Sequence, residues 1–280
     1  MIRGPDENPG RKPKSPGPRS LLRSIEWSMA SKSNDASARA QDLYYQAMEA
    51  PTDEDELVLL EKALKLDSGN VDVLLALWRH ETLSLPEDIE FLRNLVKLAE
   101  TRLGAKAFKD FAGGFWGFHE TRPYMRVREM LADHLRVAGR VEEAIVEWQA
   151  MLVLNPGDNQ GVRYALLGAL LALNRLEEVR KLFGKYPEEF EFNAAFAWGR
   201  VLERFLANDL SGVTEALASA RKQNPHMQVY LKGHRALPRD LPEACAPGSK
   251  EEAMCFAEGM REAWLKHPAA LKWLEAQKVK

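Results

Sequence analysis

The chain has 280 residues, a formal net charge of −2 and 45 % hydrophobic residues, enough apolar material for a core and no field of one sign to hold nucleic acid or an acidic membrane. Its two cysteines, Cys245 and Cys255, have nine residues between them; that excludes a disulfide framework and a four-thiolate zinc site, and reads as two buried or idle thiols in a reducing compartment. The longest apolar run, Ala165 to Leu173, is interrupted by Gly168 and is far shorter than the ~20 residues of a membrane span, so the expectation is a soluble, cytoplasmic protein with no membrane partner.

Residues 1–36 differ from the rest. Pro5, Pro9, Pro13, Pro16 and Pro18 alternate with Gly, Arg and Lys, followed by the Ser- and Lys-rich SMASKSNDAS. Such a segment buries too little apolar surface to offset its ordering entropy and is expected to be a disordered, solvated tail. It contains no apolar stretch that would serve as a signal peptide. Met29, opening MASKSND directly before the first helical pattern, is an alternative natural start.

From Ser37 the periodicity is helical almost throughout. Leu57, Leu60, Ala63, Leu64 and Asp67 close a helix whose stop is predicted at Gly69, in positive φ. Val71 to Trp78 begins the next, Pro86 opens a longer helix through Leu103, and Gly104 stops it. AGGFWGF (112–118) lacks the Lys-Ser/Thr and the preceding strand of a phosphate loop, and its aromatics make it an apolar linker.

The stretch from Met125 to Pro225 repeats itself. AGRVEEAIVEW (Ala138 to Trp148) overlays LNRLEEVRKLF (Leu173 to Phe183) at a shift of 35, and Asn-Pro recurs at Pro156 and Pro225, 69 apart. A period near 34 is the tetratricopeptide spacing, in which each unit is an antiparallel helix pair that must stack on its neighbours. In that register Leu131, Ala132, Leu135, Ala144, Trp148 and Met151 are packing residues and Gly139 makes the turn; only Arg128 stands where a large apolar residue is usual. The next unit, Asn159 to Tyr186, has Asn174 at its turn, Val179 and Phe183 inside, and Pro187 shortening its second helix. The last, Asn193 to Gln223, has Asn208 at its turn, with Leu217 and Ala220 packing. The predicted fold is thus all-α: a tetratricopeptide-like α-solenoid over residues 37–225. Residues 226–280 follow as an extended segment and a helical cap, with helices from Ser249 to Leu265 and from Pro268 to Ala276. Ser249 and Glu252 have capping-box spacing.

These residues resemble those of bacterial tetratricopeptide proteins grouped with the suppressor-of-tumorigenicity-7-like family. The resemblance covers Ser37 to about Leu274 and rests on ETRPYMRVR (Glu120 to Arg128), LNPGDNQGVRYALL (Leu154 to Leu167), NPHMQVYLKGHRALP (Asn224 to Pro238), Trp264 and Trp273. It implies a helical-repeat fold and no established activity.

Motifs for chemistry fail one by one. His80-Glu81 and His119-Glu120 begin a zincin helix motif, but Ser84 and Pro123 stand where the second histidine belongs. His134, His226, His234 and His267 are scattered, so no metal and no cofactor are assigned. There is no nucleophile elbow and no Cys–His pair, and the chain is read as not an enzyme. The chaperone carboxylate clamp needs Lys and Asn where this chain has Glu129 and Asp133, then Tyr164 and Gly168, and is absent.

A polar constellation remains: Arg122, Tyr124, Arg126 and Arg128 at one helix start, and Asn159, Gln160, Arg163 and Tyr164 at the next. Stacking at a shift of 35 would place Arg128 beside Arg163, and two guanidiniums need acceptors. Glu120, Glu129 or Asp158 would supply them in a structural role; a peptide carboxylate or small anion at the helix N-termini would supply them in a functional one. The leading reading is a non-enzymatic scaffold or adaptor that binds a protein segment on a concave face lined by the first helices of its units. The alternative is a regulatory module sensing a small anion through the arginine cluster.

Overall fold

In the computed structural model the described residues are 34–242 and 244–277. The predicted tail up to residue 33, Met29 included, lies outside them. Fourteen α-helices and one 3₁₀ turn make up the regular structure of the described residues, and no strand occurs among them. Two compact units divide the chain, the first reaching Glu147 and including Val153–Pro156, the second comprising Trp148–Leu152 and everything from Gly157 on.

In the first unit α1 (Asn34–Met48), α2 (Asp53–Leu66), α3 (Val71–Trp78), α4 (Leu85–Asp110) and α5 (Arg122–Val137) pack as consecutive neighbours, with α1 also against α3 and α3 against α5. α1 starts three residues before the predicted Ser37. Gly104 interrupts α4 with φ 69° and ψ 161°, where the sequence predicted a stop. Gly69 departs from expectation: α2 ends at Leu66, and the Asp67 carboxylate accepts a hydrogen bond from the Gly69 N–H at 3.1 Å. Gly69 is not among the residues with positive φ, because a side-chain acceptor closes this helix and no left-handed residue is required. The aromatic linker forms the 3₁₀ turn Phe115–Gly117, with Phe115 fully buried against Phe108 and Tyr124.

The boundary between units runs through α6 (Val141–Leu154). In the second unit α7 (Val162–Ala172) pairs with α8 (Leu176–Lys185), and α10 (Ala194–Leu206) with α11 (Leu210–Gln223). A single turn, α9 (Glu189–Phe192), lies between the pairs, followed after α11 by α12 (Met227–Leu231), α13 (Lys250–Leu265) and α14 (Pro268–Ala276).

The three inter-helix turns are built alike. Gly139, Asn174 and Asn208 all have positive φ, at 74°, 56° and 58°. At each, the next N–H reaches back five residues: Arg140 to the Leu135 carbonyl, Arg175 to Leu170 and Asp209 to Arg204, at 2.8–3.0 Å. This is the Schellman closure, which satisfies carbonyls a helix end leaves without partners. Counting from each turn residue, the fifth, ninth and twelfth positions are buried in all three cases: Ala144, Trp148 and Met151; Val179, Phe183 and Tyr186; Val213, Leu217 and Ala220.

The C-terminal part differs most from expectation. Residues 227–231 are helical, with Met227, Tyr230 and Leu231 buried at helical spacing, where an extended segment was predicted. α13 packs along α7 and also touches α10, the first helices of their pairs. The crossing is close: a Cβ on Gly168 would lie 2.8 Å from the Gly259 carbonyl oxygen. Ser249 caps α13, its hydroxyl accepting from the Glu252 N–H at 3.0 Å. The Glu252 carboxylate does not return to Ser249; it is buried and accepts from the Ala194 N–H, Asn224 Nδ2 and the Gly248 N–H at 2.7–3.0 Å. It thereby binds the starts of α10 and α13 to the end of α11.

Two substitutions test this packing by urea unfolding. Trp148→Ala is expected to cost about 3–5 kcal/mol, since the ring is 0 % exposed. Gly168→Ala gains roughly 0.5–1 kcal/mol from helix propensity but overpacks the α7–α13 crossing at about 1–3 kcal/mol. A lowered midpoint is expected, and a raised one would show that the two helices can part at no cost.

Candidate functional site

The first candidate cluster is built on the opening turns of α5. Arg122 donates from Nε to the Trp116 carbonyl at 2.8 Å and lies over that indole ring, so it anchors the aromatic linker. Arg126 forms a two-pronged pair with Asp72 at 2.6 and 2.7 Å, and the Asp72 side chain is 1 % exposed. Gln41 Nε2 donates to the same carboxylate at 3.1 Å, and Asn70 Nδ2 donates to Gln41 Oε1 at 2.9 Å. Arg128 donates from Nε to Glu147 at 2.6 Å and from Nη1 to the Tyr124 hydroxyl at 2.9 Å, while that hydroxyl donates to Glu100 at 3.0 Å.

Arg163 and Tyr164 repeat this chemistry in the second unit. Arg163 lies 2.9 Å from Glu189 and 3.5 Å from Asp158 and donates to the Tyr164 hydroxyl at 3.1 Å; that hydroxyl donates to Glu189 at 2.8 Å. The guanidinium stands over the Tyr164 and Tyr186 rings. Asp158 also accepts from the Val162 and Arg163 N–H groups, capping α7. Asn159 is exposed and Gln160 half-buried on the same loop.

Burial pushes the Tyr164 phenol up to about 12, with the Glu189 hydrogen bond adding to the shift and Arg163 opposing it. Burial likewise holds Tyr124 far above the ordinary phenol range. Both hydroxyls therefore stay protonated and serve as donors to carboxylates, a positioning role and not that of a general base.

Of the three acceptors expected from sequence, Asp158 takes Arg163; Arg128 takes Glu147 instead of Glu120 or Glu129, and Arg126 takes Asp72. Arg128 belongs to the first unit and Arg163 to the second, and each has its acceptors within its own unit. Asp72 was the missed residue. Its signal was a carboxylate inside the apolar run VDVLLALW, which has to find a partner when buried.

Beside the Asp72–Arg126 pair the first unit holds a cavity of about 500 Å³, lined by Gln41, Tyr45, Asn70, Arg102, His119 and Tyr124 among others. α1, α3, α4 and α5 all contribute. Arg102 closes one side by pairing with Asp67 at 2.6 Å, and Tyr45 is 50 % exposed at its edge. Among the described residues no group of three His, Cys, Asp or Glu is placed to hold a metal ion. His80 faces Glu56 at 3.4 Å, while His134 and His267 meet backbone carbonyls at 2.8 Å. No described helix is long and apolar enough to cross a membrane. No protein-family model matches the chain, and no curated protein matches it.

The arginine pairs are open to a direct test. Arg126→Met leaves the Asp72 carboxylate buried without its counter-ion and is expected to cost about 3–5 kcal/mol of stability. The double variant Arg126→Met/Asp72→Leu is expected to regain at least half of that loss in the same urea titration, because the orphaned charge is gone. A single variant as stable as the wild type would mean that Arg126 is not structural.

Proposed function

We propose that the chain is a non-enzymatic adaptor of tetratricopeptide type, acting in the cytoplasm, and that it binds an extended protein segment across the first helices of its N-terminal unit. The observation that carries this reading is the cavity bordered by α1, α3 and the start of α5, set against the corresponding face of α7 and α10, which α13 packs upon. The three like turns at Gly139, Asn174 and Asn208 support the repeat assignment, as does the common burial of the positions that follow them. The resemblance to the suppressor-of-tumorigenicity-7-like family carries no activity and does not alter the choice. Repeat proteins of this architecture present such surfaces to peptide segments.

A small-anion sensor is the weaker reading. Arg126, Arg128 and Arg163 all hold carboxylates of the chain at hydrogen-bond distance, and an incoming anion would have to displace them. Exposed Tyr45 suits a peptide better, since an aromatic rim serves side-chain contacts, while Gln41 and Asn70 are held to Asp72 and to one another.

Peptide-display selection against the immobilised full chain, followed by affinity measurement, tests the proposal. Tyr45→Ala is expected to weaken selected peptides by roughly tenfold, or about 1.4 kcal/mol. Leu210→Ala, at an exposed position of the second unit, is expected to leave them unchanged. If no peptide is selected, or if those selected bind Tyr45→Ala as well as wild type, the N-terminal site is wrong.

A further inference from the structure

The two thiols that looked idle in the sequence are neighbours in the fold. The segment leading to α13 is held at two points. On one side of Cys245 the Pro242 carbonyl accepts from Cys255 Sγ at 3.5 Å. On the other the Gly248 N–H donates to the buried Glu252 carboxylate at 2.7 Å. Cys255 lies three residues beyond Glu252, one turn along α13, so the two anchors hold Cys245 over the face that presents Cys255. Cys245 is near enough to act on the Cys255 thiol, adding to the rise that burial causes. Cys245 is exposed to solvent and Cys255 is half-buried.

We propose that Cys245 and Cys255 form a reversible intramolecular disulfide when a hydroperoxide is present, fastening the segment before α13 to the helix itself. The exposed Cys245 thiolate attacks a peroxide oxygen; the O–O bond breaks, the departing oxygen takes a proton and leaves as water or an alcohol, and Cys245 becomes a sulfenic acid. The Cys255 thiolate then attacks the Cys245 sulfur, the S–S bond forms, the S–O bond breaks and water leaves. Two thiols lose two hydrogens and two electrons in all, and one hydroperoxide is reduced. Burial raises the Cys255 thiol above its ordinary range, which keeps it protonated more of the time and leaves the first attack to the exposed partner. The product closes a loop containing Ser249 and Glu252, the residues that fix the start of α13.

The full chain supplies the test. After brief treatment with hydrogen peroxide and then iodoacetamide, the intact mass is expected to fall by about two units with no alkylation. Trypsin cuts after Lys250, between the two cysteines, so an unreduced digest should contain Asp240–Lys250 joined to Glu251–Arg261, released by dithiothreitol. Cys255→Ser is expected to accumulate a dimedone-reactive sulfenic acid at Cys245. Because a cross-link restricts the unfolded chain, the oxidised form is expected to melt above the reduced one. Alkylation of both cysteines after peroxide, sulfinic acid, or disulfide-linked dimers would overturn the pairing. An unchanged or lower Tm would overturn the clamp.

Discussion

Three reversals of the chain, after α5, α7 and α10, each depend on one residue held in the left-handed region of φ. For an ordinary L-residue that conformation costs roughly 1–2 kcal/mol, and Gly139, Asn174 and Asn208 are of the types that tolerate it. The cost is offset by the carbonyl hydrogen bonds that the turn closes. Since the reversal consumes a fixed number of residues, it also fixes the rotation at which the second helix starts. That is why the fifth, ninth and twelfth residues after each turn are buried together although their side chains range from Ala to Trp. The turn sets the register, and side-chain volume is then adjusted within it.

The buried charges follow a second rule. Asp72, Glu203 and Glu252 are each about 2 % exposed, and none stands alone. Asp72 meets Arg126 and Gln41, Glu203 meets Arg180 and Arg204, and Glu252 meets two backbone N–H groups and two side-chain amides. Pairs of this kind add little net stability compared with an apolar replacement, because desolvation cancels most of the attraction. Their effect is selective: a shifted helix would strand a carboxylate, and the unpaired charge costs more than the pair contributes. The same reasoning moves the arginine-rich start of α5 from recognition toward architecture.

How much was legible in the sequence depended on the range of the interaction. Gly139, Asn174 and Gly104 could be read because a left-handed residue announces itself locally, and Trp148 and Phe183 because the repeat supplies their register. Gly69 was misread for want of one side chain, since Asp67 closes the helix end that a positive φ would otherwise close. Helix α12 was hidden by neighbouring prolines, although Met227, Tyr230 and Leu231 already had helical spacing. The partner of Arg126 lies 54 residues away, and no local pattern names it. The contact of Cys255 with the Pro242 carbonyl was equally invisible, because it depends on how the segment before α13 is pinned.

The position of α13 connects these strands. The lack of a side chain at Gly168 lets the α7 backbone approach the Gly259 carbonyl of α13 more closely than a Cβ would allow. Ala253, Ala257, Met260, Ala263 and Trp264 are all buried along one face of α13, and Glu252 locks its first turn to α10. A helix held by that much apolar burial and by a buried carboxylate is part of the folded unit, and a competing peptide would have to offset the whole of it. The C-terminal unit therefore uses that face of α7 and α10 for its own stability, whereas in the N-terminal unit a cavity lined from α1, α3, α4 and α5 is left open.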